Sequence, residues 1–174
     1  MLDHVRAVLG QAWNPAVAAC FEYWRRKQSL CGQPLPGRQH IDPVEMRAFL
    51  PYVVLFDVVR AGVHCRFRHR LAGTEFDRIF GRDVTGMFIE HTGPLEDFDI
   101  VYRRFLAVAD DKMLVYGVAP SPARDRDFLQ YEHLTLPLAS DGETVDILFG
   151  VRCVLAASWE RDACGYRTAP LLAG

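Results

Sequence analysis

The feature that most constrains the fold is a pair of strand-like segments that meet at Asp141-Gly142. The first segment covers Phe128–Leu138 and the second covers Val145–Leu155, and an Asp-Gly pair between such segments is a strong signal for a tight β-hairpin. Along the second segment, alternate apolar side chains share one face: Val145, Ile147, Phe149, Val151, Cys153 and Leu155. Strands joined by a tight hairpin are antiparallel neighbours, so the sequence predicts an antiparallel sheet.

Along the rest of the chain, predicted strands occur both before and after a helical region. Further elements are predicted as strands at Val53–Val59, His64–Leu71 and Met113–Val118, a short helix from Thr74 closed by Gly81, and a helix at Leu95–Ala109. No strand–helix–strand alternation typical of parallel sheets is present. We therefore expect an α+β fold in which a five-stranded antiparallel sheet carries its helices on one face.

Helical segments are predicted before the first strand. Asn14-Pro15 is typical of a helix start, and apolar residues at helical spacing then continue to Leu30. The stripe formed by Val17, Phe21 and Trp24 must be covered by the sheet of its own chain or by a second copy. We predict a homodimer interface at these three residues.

Three regions follow from this organisation. They are an N-terminal helical extension at residues 1–35, a main domain at 36–157 and a C-terminal tail at 158–174, where we find no persuasive periodicity. Asp42-Pro43 with Glu45 has the capping-box arrangement and predicts a short helix that continues to Leu50.

Composition excludes several classes of function. A formal net charge of -2 provides no broad basic field for a phosphate backbone, so no nucleic-acid partner is expected. Five scattered cysteines without a Cys-x-x-Cys pair indicate reduced thiols and a cytoplasmic location. No apolar run is long enough to cross a bilayer, so no membrane association is expected.

Several short strings then occur in a characteristic order. They are Tyr23-Trp24-Arg25, Ile41-Asp42-Pro43, the run from Arg66 to Thr74, the run from Phe80 to Gly86, and Leu136-Pro137-Leu138 before Asp141-Gly142. In this order and spacing the chain resembles a bacterial family of small, mostly stand-alone PAS-like proteins known mainly from alphaproteobacteria. The resemblance covers about residues 20–157. It implies a PAS-like fold and a non-catalytic sensory or regulatory role in signalling, through binding to a protein partner. The alternative is a small-molecule-binding protein or enzyme of the similar NTF2-like fold with an apolar cavity.

A ligand site is expected where the central helices face the sheet. In a PAS fold the segments that face one another there carry Phe76, Ile79, Phe80, Tyr102, Phe105 and Tyr116. Such a site suits a small apolar molecule, although the same side chains would equally fill a core. Arg70 belongs to the alternating arginines Arg66, Arg68 and Arg70, which could meet a ligand carboxylate or an acidic partner surface, and it is the one we assign to the site. Alternating arginines on an exposed strand face are also a common solubility feature.

No cofactor or catalytic group is evident. Where flavin-binding photoreceptor PAS domains carry a reactive cysteine, this chain has Val84 in the segment Gly81-Arg82-Asp83-Val84. Haem-binding PAS domains use a histidine from the following helix, and His91, just before that helix, is the one candidate. The sequence contains no Gly-x-Ser-x-Gly elbow, phosphate-binding loop or spaced metal-ligand pairs, so we expect neither an enzyme nor a metal protein.

Overall fold

The fold was analysed in a computed structural model, which describes residues 14–62, 64–92, 95–121, 129–155 and 165–170. Its centre is one sheet in which every pair of neighbouring strands is antiparallel, with the order β2-β1-β5-β4-β3-β6. The strands are β1 (Val53–Ala61), β2 (His64–Ala72), β3 (Met113–Pro120), β4 (Gln130–Leu138), β5 (Ile147–Val154) and β6 (Gly165–Pro170).

The five predicted strands are therefore present, and the α+β prediction is confirmed. The sixth strand, β6, pairs with β3 at the edge of the sheet and lies in the segment that we had assigned to the tail. Periodicity could not reveal it, because its six residues begin with Gly165, end with Pro170 and carry no alternation of apolar and polar side chains.

Among the described residues, three α-helices pack around the sheet: α1 (Pro15–Leu30), α2 (Thr74–Phe80) and α3 (Leu95–Ala109). Asn14 begins α1 as predicted, because its side-chain oxygen accepts a hydrogen bond of 2.9 Å from the Ala16 backbone N–H. Gly81 ends α2 in the left-handed conformation, with φ of 71°, which glycine adopts without steric cost. Within the described ranges, no helix has both the length and the apolar character needed to span a membrane.

The predicted helix from Asp42 to Leu50 is wrong. Asp42 does cap this segment, since its side chain accepts from the Val44 N–H at 2.9 Å. The backbone bonds that follow join residues three apart, such as Met46 N–H to the Pro43 carbonyl, and so the segment is a series of turns. Met46 and Phe49 are buried and anchor these turns in the core.

The sheet is covered on both faces. On one, which we call the α1 face, the Trp24 indole N–H donates to the Pro137 carbonyl at 2.8 Å and Tyr23 packs on Phe149. On the other, the α2/α3 face, the Phe105 ring of α3 contacts Phe56 of β1. The central strands are consequently buried on both sides.

The stripe predicted as a dimer interface lies on the side of α1 that faces the sheet. Val17, Phe21 and Trp24 are 0%, 2% and 1% exposed within the single chain. Of the two ways to cover the stripe, burial against its own sheet is the one found, so these side chains form no free surface for a second copy. The predicted boundary at residue 35 divides two parts that share one hydrophobic core, because the buried residues of α1 and those of the sheet belong to the same cluster.

Candidate functional site

Aromatic side chains from four elements meet between the sheet and the helices of the α2/α3 face. Ring centroids lie 4.7 Å apart for Phe76 and Phe80, 4.7 Å for Phe56 and Phe105, and 5.8 Å for Phe67 and Tyr102. We call this set the aromatic cluster: Phe56 of β1, Phe67 of β2, Phe76 and Phe80 of α2, and Tyr102 and Phe105 of α3. The structure thus brings together the predicted residues Phe76, Phe80, Tyr102 and Phe105, and Ile79 is fully buried on the same helix as Phe76.

Helical spacing explains the contribution of the helices. Phe76 and Phe80 are four residues apart on α2, and Tyr102 and Phe105 are three apart on α3, so each pair projects from one side of its helix. Tyr102 is also fixed at its polar end, because its hydroxyl donates to the Cys65 carbonyl at 2.9 Å. The rings are therefore held in place by regular local structure rather than by loops.

Tyr116 does not join this cluster. It pairs with Leu134 on β4, which in turn pairs with Val151 on β5, and this register puts all three side chains on the α1 face. There the Tyr116 hydroxyl donates to the buried Glu132 carboxylate at 2.7 Å. Assigning Tyr116 to the ligand site was an error of strand phase, because adjacent strand residues point to opposite faces.

Arg70 is also engaged elsewhere. It lies at an irregularity of the β1–β2 pairing, and its guanidinium forms an ion pair of 3.0 Å with Asp57 on the α1 face. Arg68 binds the same carboxylate at 2.8 Å. Although partial burial alone would raise the pKa of Asp57, the hydrogen bonds from Arg68 and Arg70 lower it below its usual value. Arg70 therefore balances a surface carboxylate on the face opposite the aromatic cluster.

A buried histidine lies within the aromatic cluster. His69 of β2 is 2% exposed, and its ring lies 4.7 Å from Phe56, 5.5 Å from Phe76 and 5.9 Å from Phe80. Its Nε2 is 3.4 Å from the Thr92 hydroxyl, whereas its Nδ1 has no hydrogen-bond partner among the described residues. Burial, together with the positive charge of Arg152, lowers the pKa of His69 to about 4.

Arg152 supplies a buried positive charge beside the aromatic cluster. Its guanidinium donates to the Leu134 carbonyl at 2.9 Å and to the Thr135 hydroxyl at 3.0 Å, and it lies 5.7 Å from the centre of the Phe56 ring. A Cβ at the neighbouring Gly150 would collide with the same Leu134 carbonyl, so this approach requires glycine. The sequence contains a signal that Arg152 is buried. Arg152 alternates with the apolar residues of β5 and so points to the other face of the sheet, yet its neighbours Val151 and Cys153 are both apolar.

A second buried histidine faces this arginine. His133 of β4 pairs directly with Arg152 across the sheet and is 5% exposed. Burial, then the charges of Arg152 and Arg104, lower the pKa of His133 well below its ordinary value. In the part of the α2/α3 face that the structure describes, the buried Arg152 therefore lies close to two imidazoles whose pKa values are lowered.

The two residues considered for cofactors differ in their exposure. His91 ends a short 3-10 helix, Ile89–His91, with an exposed side chain, and its carbonyl accepts from Arg82 at 3.2 Å. Val84, which stands in place of the flavin-reactive cysteine, is fully buried. Among the described residues no group of three or more His, Cys, Asp or Glu side chains is arranged to hold a metal ion.

Comparison with known proteins gives one family. Residues 13–153 match the family described as PAS domain, and the matched range includes α1 as well as the first five strands. No curated protein matches the chain. The solved structure of an RNA-binding Light-Oxygen-Voltage receptor is similar with a TM-score of 0.48 and 18% identity, over 69% of this chain and 34% of the receptor. This chain therefore spans about a third of the length of that receptor. On the family match over most of its length, the chain belongs to the PAS domain family.

Proposed function

We propose that this protein is a non-catalytic sensory module in signalling, which binds a small apolar ligand between its sheet and α2/α3 and transmits the binding to a protein partner. The observation that carries the proposal is the aromatic cluster around a buried, neutral histidine. An apolar site with a few placed polar groups is the usual design of a small-molecule pocket. Membership of the PAS domain family argues against the NTF2-like alternative.

The partner surface in this proposal is the arginine stripe of β2. Arg66, Arg68 and Arg70 each expose about half of their side chain, and two carboxylates face them, Asp57 and Glu90. Three guanidinium groups against two carboxylates leave an excess of positive charge, which fits a partner with an acidic surface. A homodimer would have to form through residues other than Val17, Phe21 and Trp24, because that stripe is buried.

Native mass spectrometry tests the ligand part of this proposal. We expect the protein purified from cells to carry a small molecule that is released on denaturation, and we expect the variant Phe80→Trp, which enlarges a ring of the aromatic cluster beside His69, to carry less of it. The variant Leu30→Ala, at an exposed position on α1, should retain the molecule and serves as the control. Protein without any bound molecule, which also fails to bind members of a library of neutral aromatic compounds, would contradict the proposal.

A further inference from the structure

The hydrogen bonds of Thr92 determine which nitrogen of His69 carries the proton. The Thr92 hydroxyl has one hydrogen, and it donates this hydrogen to the Ile89 carbonyl at 2.8 Å. Toward His69 the hydroxyl oxygen can therefore only accept. His69 Nε2, at 3.4 Å, must be the donor, and in a neutral imidazole this leaves Nδ1 as an unprotonated acceptor.

In the described part of the chain, this buried acceptor meets no donor. Nδ1 has no hydrogen-bond partner among the described residues, although His69 is 98% buried. Buried polar atoms in folded proteins are nearly always satisfied, because leaving one unpaired costs the whole of its hydration. The rings around it, Phe56, Phe76 and Phe80, offer no donor of their own.

The surroundings restrict which donor could reach Nδ1. Burial and the positive charge of Arg152 both keep His69 unprotonated, and the same charge disfavours a cationic donor. An ionised carboxylate has no hydrogen to donate. Aromatic rings on several sides favour a flat aromatic body, which can make edge-to-face contacts with them.

We propose that His69 Nδ1 accepts a hydrogen bond from a small, neutral aromatic ligand that carries one N–H or O–H donor and binds among Phe56, Phe76 and Phe80. The inference rests on the proposed function and defines the chemistry of its ligand. His69 is then the residue that determines specificity, while the aromatic cluster supplies apolar contact.

Two probes of equal size separate the hydrogen bond from the apolar contact. Indole carries an N–H donor, and indene has a CH₂ group in its place. We expect isothermal titration calorimetry to give at least about tenfold tighter binding of indole than of indene to the wild type, the ordinary effect of one satisfied buried hydrogen bond. In the variant His69→Phe, which keeps an aromatic ring but removes the acceptor, indole and indene should bind alike.

The outcomes distinguish this inference from the function on which it rests. Equal binding of both probes to the wild type would leave the ligand site in place and overturn the role of His69. If neither probe binds, both the site and the role fail. A preference for indole that persists in His69→Phe would also overturn the assignment.

A measurement on the wild type covers the case in which His69→Phe does not fold. In protein with ¹⁵N-labelled histidine, NMR reports which ring nitrogen is protonated, and the His69 ring is assigned through its contact with Phe56. We expect a protonated Nε2 and an unprotonated Nδ1 whose resonance moves upfield with indole and not with indene. A proton on Nδ1, or the same response to both probes, would overturn the proposal.

Discussion

At the scale of single residues, the main feature of the α2/α3 face is a pair of histidines that burial, and then the charge of Arg152, keep neutral. The guanidinium of Arg152 is 95% buried and disfavours a second positive charge on His69 or His133. A proton added to either ring would have to enter an interior that is both poorly hydrated and already positive. This arrangement makes the stability of the fold depend on pH.

We predict that His69→Phe weakens the pH dependence of stability. In the unfolded chain His69 binds a proton at its ordinary pKa of about 6.5, whereas the folded protein resists this proton until the pH reaches about 4. Stability is therefore complete above pH 6.5 and falls as the pH drops toward 4, by about 3 kcal/mol for this group. Urea unfolding at a series of pH values should show this loss in the wild type and a smaller one in the variant.

His133 remains in that variant and contributes to the dependence that is left. The variant His64→Phe, which makes the same replacement at an exposed position of the same strand, serves as the matched control. Identical slopes for the wild type and His69→Phe between pH 6.5 and 4 would show that the His69 ring is hydrated and titrates normally.

We predict that Phe105→Ala destabilises the protein by about 3 to 5 kcal/mol, the usual cost of removing a packed phenylalanine. Phe105 is 7% exposed and contacts the rings of Phe56 and Phe67 at 4.7 and 5.2 Å. Ile100→Ala on the same helix should have a much smaller effect, because Ile100 is 50% exposed. Thermal and urea unfolding of both variants measures the difference, and similar losses would contradict tight packing around Phe105.

At the scale of elements, α1 forms a full structural layer. Its N-terminus is joined to β4, because the Asn14 backbone N–H donates to the Glu132 carboxylate at 2.9 Å. A carboxylate at this position also interacts favourably with the positive end of the helix dipole. Trp24 then connects the C-terminal half of α1 to the same strand through the Pro137 carbonyl.

We predict that Trp24→Ala costs about 3 to 5 kcal/mol and that Leu30→Ala costs less than about 0.5 kcal/mol. Trp24 is 1% exposed and hydrogen-bonded, whereas Leu30, on the last turn of the same helix, is 74% exposed. Equilibrium unfolding in urea compares the two variants. If Trp24→Ala were as mild as Leu30→Ala, α1 would not be a layer of the fold in solution.

The elements also show what the sequence could predict. Hairpin turns, caps and helical spacing depend on neighbouring residues, and they correctly gave the five strands, α2 and most of the aromatic cluster. The side of the sheet on which Tyr116 lies depends on strand register, which is a relation between distant segments. Regular alternation along β2 would put Leu71 on the same face as His69, but the irregular pairing at Leu55 and Phe56 moves Leu71 to the other face, where it is 40% exposed.

At the scale of the whole molecule, we predict that the purified protein has no visible absorption. Val84 has no thiol for a flavin adduct, and His91 has an exposed side chain outside the aromatic cluster. An absorption spectrum of protein from cells supplemented with haem precursors and riboflavin tests both points. A Soret band that vanished in His91→Ala would contradict the prediction, and the variant His64→Ala controls for unspecific binding through an exposed imidazole.

The strand order has a consequence for how the protein emerges during synthesis. The neighbouring strands β1 and β5 come from distant parts of the chain: Val53 pairs with Val151, a separation of 151 − 53 = 98 residues. At a translation rate of about 5–20 residues per second, β5 is synthesised about 5–20 seconds after β1, and until then the edge of β1 that pairs with β5 is unpaired. During that interval the nascent chain exposes an unpaired apolar strand edge and the uncovered side of α1. We therefore expect the ribosome-bound N-terminal half to be a substrate for chaperones, and the chain to become protease-resistant only after β5 has left the exit tunnel.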